Sequence, residues 1–466
     1  MRQLNYEFSV PDAEISLLGS AAQPYLPNTN TNTGFQNVLV SGNYAYVIGT
    51  GGNGAGIQGL TLTIYNVQNP TAPFIEGYIT TGTVIWTSGS PFLNGGYSLA
   101  LNGQYLYIFS SGSSKFYVVN VSNPQNPFNV SGLSITGSPG SLYGGAYSNG
   151  YVYISTQNSG LTVVNVSNPL ALTQTFQEGG ITNKGIGVTV ANGYVYTTNY
   201  QTTAPWTVRY LKIWSLANPA APTLIETYTL PAGTKPANVE VIGNYAYVAD
   251  LNTSSVQIIN ISNPLAPFYV ASLQATNSFN VANEVAIGAF SISGNYAYLG
   301  SGGNPTYGGS IDFFDITNPA APIKLSTYQE GVPGSVFGTV VLYNNLLYVA
   351  DYGIAGGQHG SLNIYSSKTA IVPNIPVQNL YAISAQISNV PSTAAGTYEL
   401  IASNDDFYSY PFTPVNYDAI PGTTGTISGT NVYLIPKTDL SYQNVSFAYT
   451  NTGSGGFNII LKALGF

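Results

Sequence analysis

The chain has 466 residues, of which only 6% are charged, with Lys plus Arg at 10, Asp plus Glu at 18, one His and no Cys. That balance excludes a basic nucleic-acid surface, disulfides, thiolate chemistry, zinc ribbons and any site needing two imidazoles. The polar surface must come from Asn, Ser, Thr, Gln and Tyr, since an ordinary soluble domain carries roughly 25% charged residues.

In chain order, Leu4, Tyr6, Phe8 and Val10 alternate with Asn5, Glu7 and Ser9, so residues 1–12 read as a strand with one apolar face, an anchor tail in search of a partner. The opening Met1 to Val10 lacks the basic start and unbroken apolar stretch of a secretory leader, and no apolar run approaches the ~20 residues of a membrane span. Neither general secretory export nor membrane insertion is expected.

A repeat follows. Val38-Leu39-Val40 leads through Ser41-Gly42-Asn43 to Tyr44-Ala45-Tyr46-Val47, then Leu62-Thr63-Ile64-Tyr65-Asn66-Val67, then Asn69-Pro70. The Tyr-x-Tyr word recurs at Tyr105, Tyr151, Tyr194, Tyr245 and Tyr296, with Leu346 in a degenerate seventh copy. Gly-Asn between apolar runs predicts a tight hairpin, and Asn-Pro ends a strand because proline lacks a ladder donor. Each unit is therefore expected to be a four-stranded antiparallel sheet with two apolar faces. Seven such sheets bury both faces only when stacked radially, which predicts a seven-bladed β-propeller over residues 13–369. The seventh unit loses its Asn-Pro and fourth strand after Tyr365, and Glu14 to Ser20 is expected to supply that strand and close the ring. The pattern Val-x-Val-x-Gly-Asn-Tyr-Ala-Tyr-Val followed by Leu-x-Ile-x-Asn-Val resembles the LVIVD-repeat propellers across residues 14–366, a resemblance that implies a fold and little about chemistry.

Residues 370–466 read as a second all-β domain, an antiparallel β-sandwich. Tyr381, Ile383, Ala385 and Ile387 alternate with polar neighbours, as do Val445, Phe447 and Tyr449. The words Gly396-Thr397-Tyr398-Glu399-Leu400-Ile401-Ala402-Ser403-Asn404-Asp405 and Gly453-Ser454-Gly455-Gly456-Phe457 resemble the β-sandwich module of virion structural proteins.

Catalytic groups are scarce. His359 sits in a Gly-rich loop without a nucleophile partner, sialidase chemistry lacks its arginine cluster, and there is no phosphate loop. Asp250 and Asp351 share a repeat position held elsewhere by small turn formers, and are expected to be strand-end turn residues. Glu240 and Glu284, before the innermost strands of units five and six, could face a central channel. Asp405 and Asp406 read as a turn rather than a calcium site. The sequons at Asn120, Asn165 and Asn260 belong to the repeat's strand-to-turn word. No catalytic residue, metal or cofactor is expected; Tyr200, Trp206 and Tyr307 in the variable inserts, with His359, are the expected ligand contacts, since exposed aromatic rings beside Asn and Gln suit sugars. The expectation is a non-enzymatic virion surface protein, a spike, fibre or capsid decoration. Its partners would be capsid or spike-base proteins and a host-surface glycan or protein, with a homo-oligomer left open. A cellular adhesin or surface-layer protein and a propeller hydrolase or lyase are the rival readings.

Overall fold

Each repeat turns on local chemistry. Gly42 and Gly243 hold φ at 57° and 54°, the left-handed conformation that a two-residue hairpin needs. In the degenerate seventh copy Asn344 takes the same conformation at 46°. The end of the third strand returns to the hairpin: Val67 N donates to Asn43 O at 2.8 Å, and Ile261 N to Asn244 O at 2.8 Å. The Asn-Pro turns are then alike. Asn69 Oδ1 accepts from Thr71 N, Asn123 Oδ1 from Gln125 N and Asn263 Oδ1 from Leu265 N, at 3.1 to 3.2 Å, while each asparagine carbonyl accepts three residues on. The sequon asparagines work the same way: Asn120, Asn165 and Asn260 accept through Oδ1 from Ser122, Ser167 and Ser262 N, which makes them strand-end caps.

The computed structural model describes residues 2–10, 15, 17–22, 35–52, 58–80, 98–109, 114–179, 184–201, 208–276, 290–304, 308–330, 337–344, 346–351 and 360–366, and strand segments between 369 and 465. Among them there is no helix, and no helix is long and apolar enough to cross a membrane. The fold is an all-β, seven-bladed propeller followed by further sheets.

The first blade is Phe35–Ser41, Tyr44–Gly52, Gln58–Asn66 and Phe74–Thr80, paired in that order and antiparallel. Five more four-stranded meanders follow, over 98–134, 142–177, 184–229, 236–274 and 290–329. Phe337–Tyr343, Leu346–Asp351 and Ser361–Ser366 form three strands of the seventh sheet, with Leu17–Ala22 next to Ser361–Ser366 in the strand order; Ser20 Oγ donates to Asn363 Oδ1 at 2.6 Å.

Apolar clusters fill the spaces between blades. Tyr46, Ile48, Leu62 and Ile64 of the first meet Leu99, Leu106, Ile108 and Val119 of the second. Similar clusters join the second to the third, the third to the fourth, the fourth to the fifth and the fifth to the sixth. The Tyr-x-Tyr word is thereby explained: the second tyrosine (Tyr46, Tyr107, Tyr153, Tyr196, Tyr247, Tyr298, Tyr348) is buried between sheets, and the first sits half-buried nearer the hairpin. Every fourth strand of the first six blades carries a β-bulge at the same place, such as the extra Glu76 between the Ile64–Gly77 and Tyr65–Ile75 pairs.

Contacts divide the chain into Gly19–Val341 with Tyr348–Asn363, and a second unit of Met1–Leu18, Leu342–Leu347 and Ile364–Phe466. The second unit contains a sheet ordered Arg2–Val10, Phe457–Gly465, Leu380–Ser388, Tyr433–Thr438, and another built on Asn444–Asn451 and Ala395–Ser403. Arg2–Val10 pairs along its whole length, from Arg2 opposite Gly465 to Val10 opposite Phe457.

Candidate functional site

The first strand of each blade faces the propeller axis, and together they enclose a cavity of about 230 Å³ to which all seven blades contribute. Its polar lining includes Asn37, Ser98, Asn238 and Thr339; Tyr143 and Phe290 add aromatic rings. Glu240 supplies the one carboxylate among the described lining residues. It lies within the first strand of the fifth blade, Pro236–Ile242, rather than before it as the sequence suggested. Oε2 accepts a hydrogen bond from Ile292 N of the sixth blade at 3.0 Å. Burial away from water, partly offset by that bond, pushes the carboxyl up to about 8.

Other acids are differently placed. Asp250 Oδ1 accepts from Lys235 N and Asn252 N, both at 2.9 Å, and Oδ2 from Thr253 Oγ1 at 2.7 Å, so this residue organises the strand-end turn as its repeat position implied. Asp351 is buried at the equivalent end of its strand. Asp312 is bound by Thr276 N and Oγ1 and by Lys324 Nζ at 3.2 Å. Glu178 of the third blade pairs with Lys212 of the fourth. Among the described residues no group of three or more His, Asp or Glu is placed to hold a metal.

Tyr200 is a correction. It was expected as an exposed ring in a variable insert, yet it ends the second strand of the fourth blade, opposite Lys184, and is only 1% exposed. Its ring packs with Tyr143, Ile186 and Ala237, with Lys184 Nζ 5.9 Å and Lys235 Nζ 5.3 Å from its centroid. A sugar cannot stack on a ring whose surroundings are already filled. The signal was in the sequence: Tyr194, Tyr196, Thr198 and Tyr200 continue one alternating face. Trp206, Tyr307, His359, Glu284, Asp405 and Asp406 lie outside the described residues. Leu4, Tyr6, Phe8 and Val10 lie on the strand Arg2–Val10, opposite Ala463, Leu461, Ile459 and Phe457.

The repeat that the sequence showed and the blades that the structure shows coincide with a known pattern at residues 35–81, 96–132, 146–177, 234–274 and 288–330. Those five stretches match the LVIVD repeat. The fourth and seventh blades, marked in the sequence by Tyr194 and Leu346, fall outside the matched stretches and keep the same strand order. Among solved structures, the chain is similar to Raptor from Chaetomium thermophilum, at 12% identity and a TM-score of 0.52, over 77% of this chain and 29% of that one. It is also similar to the WD40 β-propeller domain of Doa1 (9% identity, TM-score 0.49, 76% and 97% covered) and to the Cps50 (Swd1) β-propeller domain of Myceliophteria thermophila (11%, 0.47, 72% and 99%). The Raptor likeness bears on the fold alone. No curated protein matches the chain.

Proposed function

We propose that the LVIVD propeller is a non-enzymatic recognition head of a virion surface protein, a spike, fibre or capsid decoration that meets host-surface glycan or protein. One observation carries the recognition part. The turns between first and second strands are two residues long, and those between third and fourth strands keep one length, as at 67–73, 121–127 and 261–267. The remaining connections vary, from 157–159 to 201–208 and 352–360 between second and third strands, and from 178–183 to 81–97 between blades. In an antiparallel meander these two classes leave from opposite ends of the strands, so variation is confined to one face while the other is fixed. A constant frame with one variable face is the arrangement of a binding scaffold.

The virion placement draws on the ion-poor composition and on the resemblance of residues 375–466 to virion modules. The strand Arg2–Val10 is the edge of its sheet, and such an edge can accept a strand from a capsid or spike-base protein. Mass spectrometry of purified particles from the source culture tests the placement; absence of the chain from particles that are otherwise complete overturns it, and its recovery from cell envelopes instead favours the adhesin. Host-cell binding by the purified chain, compared with a variant whose 201–208 and 352–360 connections are replaced by Gly-Asn hairpins, tests the face. Equal binding by both removes the variable face from the proposal.

A further inference from the structure

Glu240 stands apart from Asp312 and Glu178 because, among the described residues, no charged group pairs with it. Asp312 has Lys324 and Glu178 has Lys212, whereas Glu240 has one backbone N–H. That bond does not need a charge, since a glutamine carbonyl would accept it equally well. Desolvation dominates its upward shift and no charged side chain contributes. Among the described residues, the titratable groups lining the cavity are Glu240 and Tyr143. Lys184 Nζ lies 4.5 Å from the Tyr143 ring centroid and Lys235 beside Tyr200, and neither contributes at Glu240. An uncompensated carboxylate in a polar, partly aromatic cavity is a place where a cation gains more than it would in water.

The cavity also limits which cation. Calcium takes 6–8 oxygens, usually with several carboxylates, and a divalent ion against one carboxylate leaves a net charge buried. A volume of about 230 Å³ greatly exceeds a bare ion and suits a small organic molecule. Phe290 gives the lining an aromatic ring and Asn238 an amide beside Glu240, a polar and aromatic mixture that suits an ammonium group. We propose that the axial cavity binds a small organic monocation, a primary ammonium compound, with the Glu240 carboxylate as its counter-charge. This site is independent of the variable face.

Calorimetric titration of the full chain with methylammonium and ethanolammonium chloride tests it, with sodium, potassium and calcium chloride at matched ionic strength. Below about pH 8 the ammonium ion must displace a proton from Glu240, so titrations at about pH 6.5 in buffers of different ionisation enthalpy are expected to show close to one proton released per ligand bound. Affinity should rise roughly tenfold per pH unit below about 8 and then level off. Glu240→Gln, which keeps the acceptor for Ile292 N, is expected to lose at least about tenfold in affinity and all proton release. Wild-type affinity in Glu240→Gln overturns the proposal, as does the absence of ammonium binding up to about 10 mM. Binding without proton release does the same within the wild-type protein alone, and a preference for sodium or calcium overturns the organic ligand.

Discussion

At the scale of single residues, the protein uses its few charged groups and its many aromatic ones mostly to hold itself together. Tyr200 fills space between blades, so Tyr200→Ala is expected to cost about 3–5 kcal/mol in denaturant unfolding, the cost of emptying a core aromatic site. A surface tyrosine that only stacked on a ligand would cost a few tenths. Glu240 gives a sign to the pH dependence. Its folded-state value, about 8, stands above the ordinary 4.5, so the folded chain holds the proton more tightly and the group favours folding fully only below about 4.5. As pH rises from there to about 8, that contribution is lost at up to about 1.4 kcal/mol per unit. Stability measured across this window should therefore fall in the wild type, and the slope should flatten in Glu240→Gln. An identical slope in both would show that the carboxyl is solvated in the folded state.

At the scale of elements, the fourth strands decide how neighbouring blades meet. Gly77 lies so close to the next blade's Asn-Pro turn that a Cβ there would come within 2.2 Å of Pro124 O. Gly19 stands in the same relation to the first blade's turn, where a Cβ would come within 2.3 Å of Pro70 O. Beside Gly77, Glu76 accepts hydrogen bonds from Asn66 within its blade and from Gln125 on the next, which hold its carboxyl below the usual range. If Leu17–Ala22 acts as the seventh blade's fourth strand, Gly19→Ala and Gly77→Ala should each lower stability by about 1–3 kcal/mol, because a backbone carbonyl must shift to admit the methyl. Truncation sharpens the test. Removal of residues 1–10 should leave the propeller's melting transition in place, whereas removal through residue 22 should lower it and promote aggregation through the exposed edge of Ser361–Ser366. An unchanged transition after the longer truncation would rule out closure by this strand. The strands and turns themselves were legible in the sequence because each carries its own chemistry, Gly-Asn at one end and Asn-Pro at the other. The contacts of Gly19 and Gly77 were not legible, since they join segments far apart in sequence whose residues look like any others in a strand. Tyr200 was misread because the polar Thr, Asn and Gln residues around it hid the continuation of the strand; Glu240 could be placed near the axis from the repeat, but its lack of a charged partner among the described residues depends on all seven blades at once.

At the scale of the whole molecule, the sparse charge that first set the chain apart bears on how it answers acid. Two forces usually unfold a protein at low pH: the protonation of carboxylates that were stabilised as anions, and self-repulsion of the cations that remain. Here the first is limited by 18 acids in 466 residues, and one of them, Glu240, opposes it, because its folded form binds a proton more readily than its unfolded form. Glu76 works in the usual direction, favouring folding above its unfolded value and losing that effect as pH falls, but it lies at the surface, where solvent screens it. The second is limited by ten Lys and Arg and one His, too few to expand a core held by apolar clusters between the blades. The propeller is therefore expected to stay folded in strong acid. Circular dichroism across a descending pH series at low and at high salt measures this directly: the β signal should persist below about pH 4, with little difference between the two salt conditions because there is little repulsion to screen. Cooperative unfolding above that pH, or a midpoint that moves strongly with salt, would overturn this expectation.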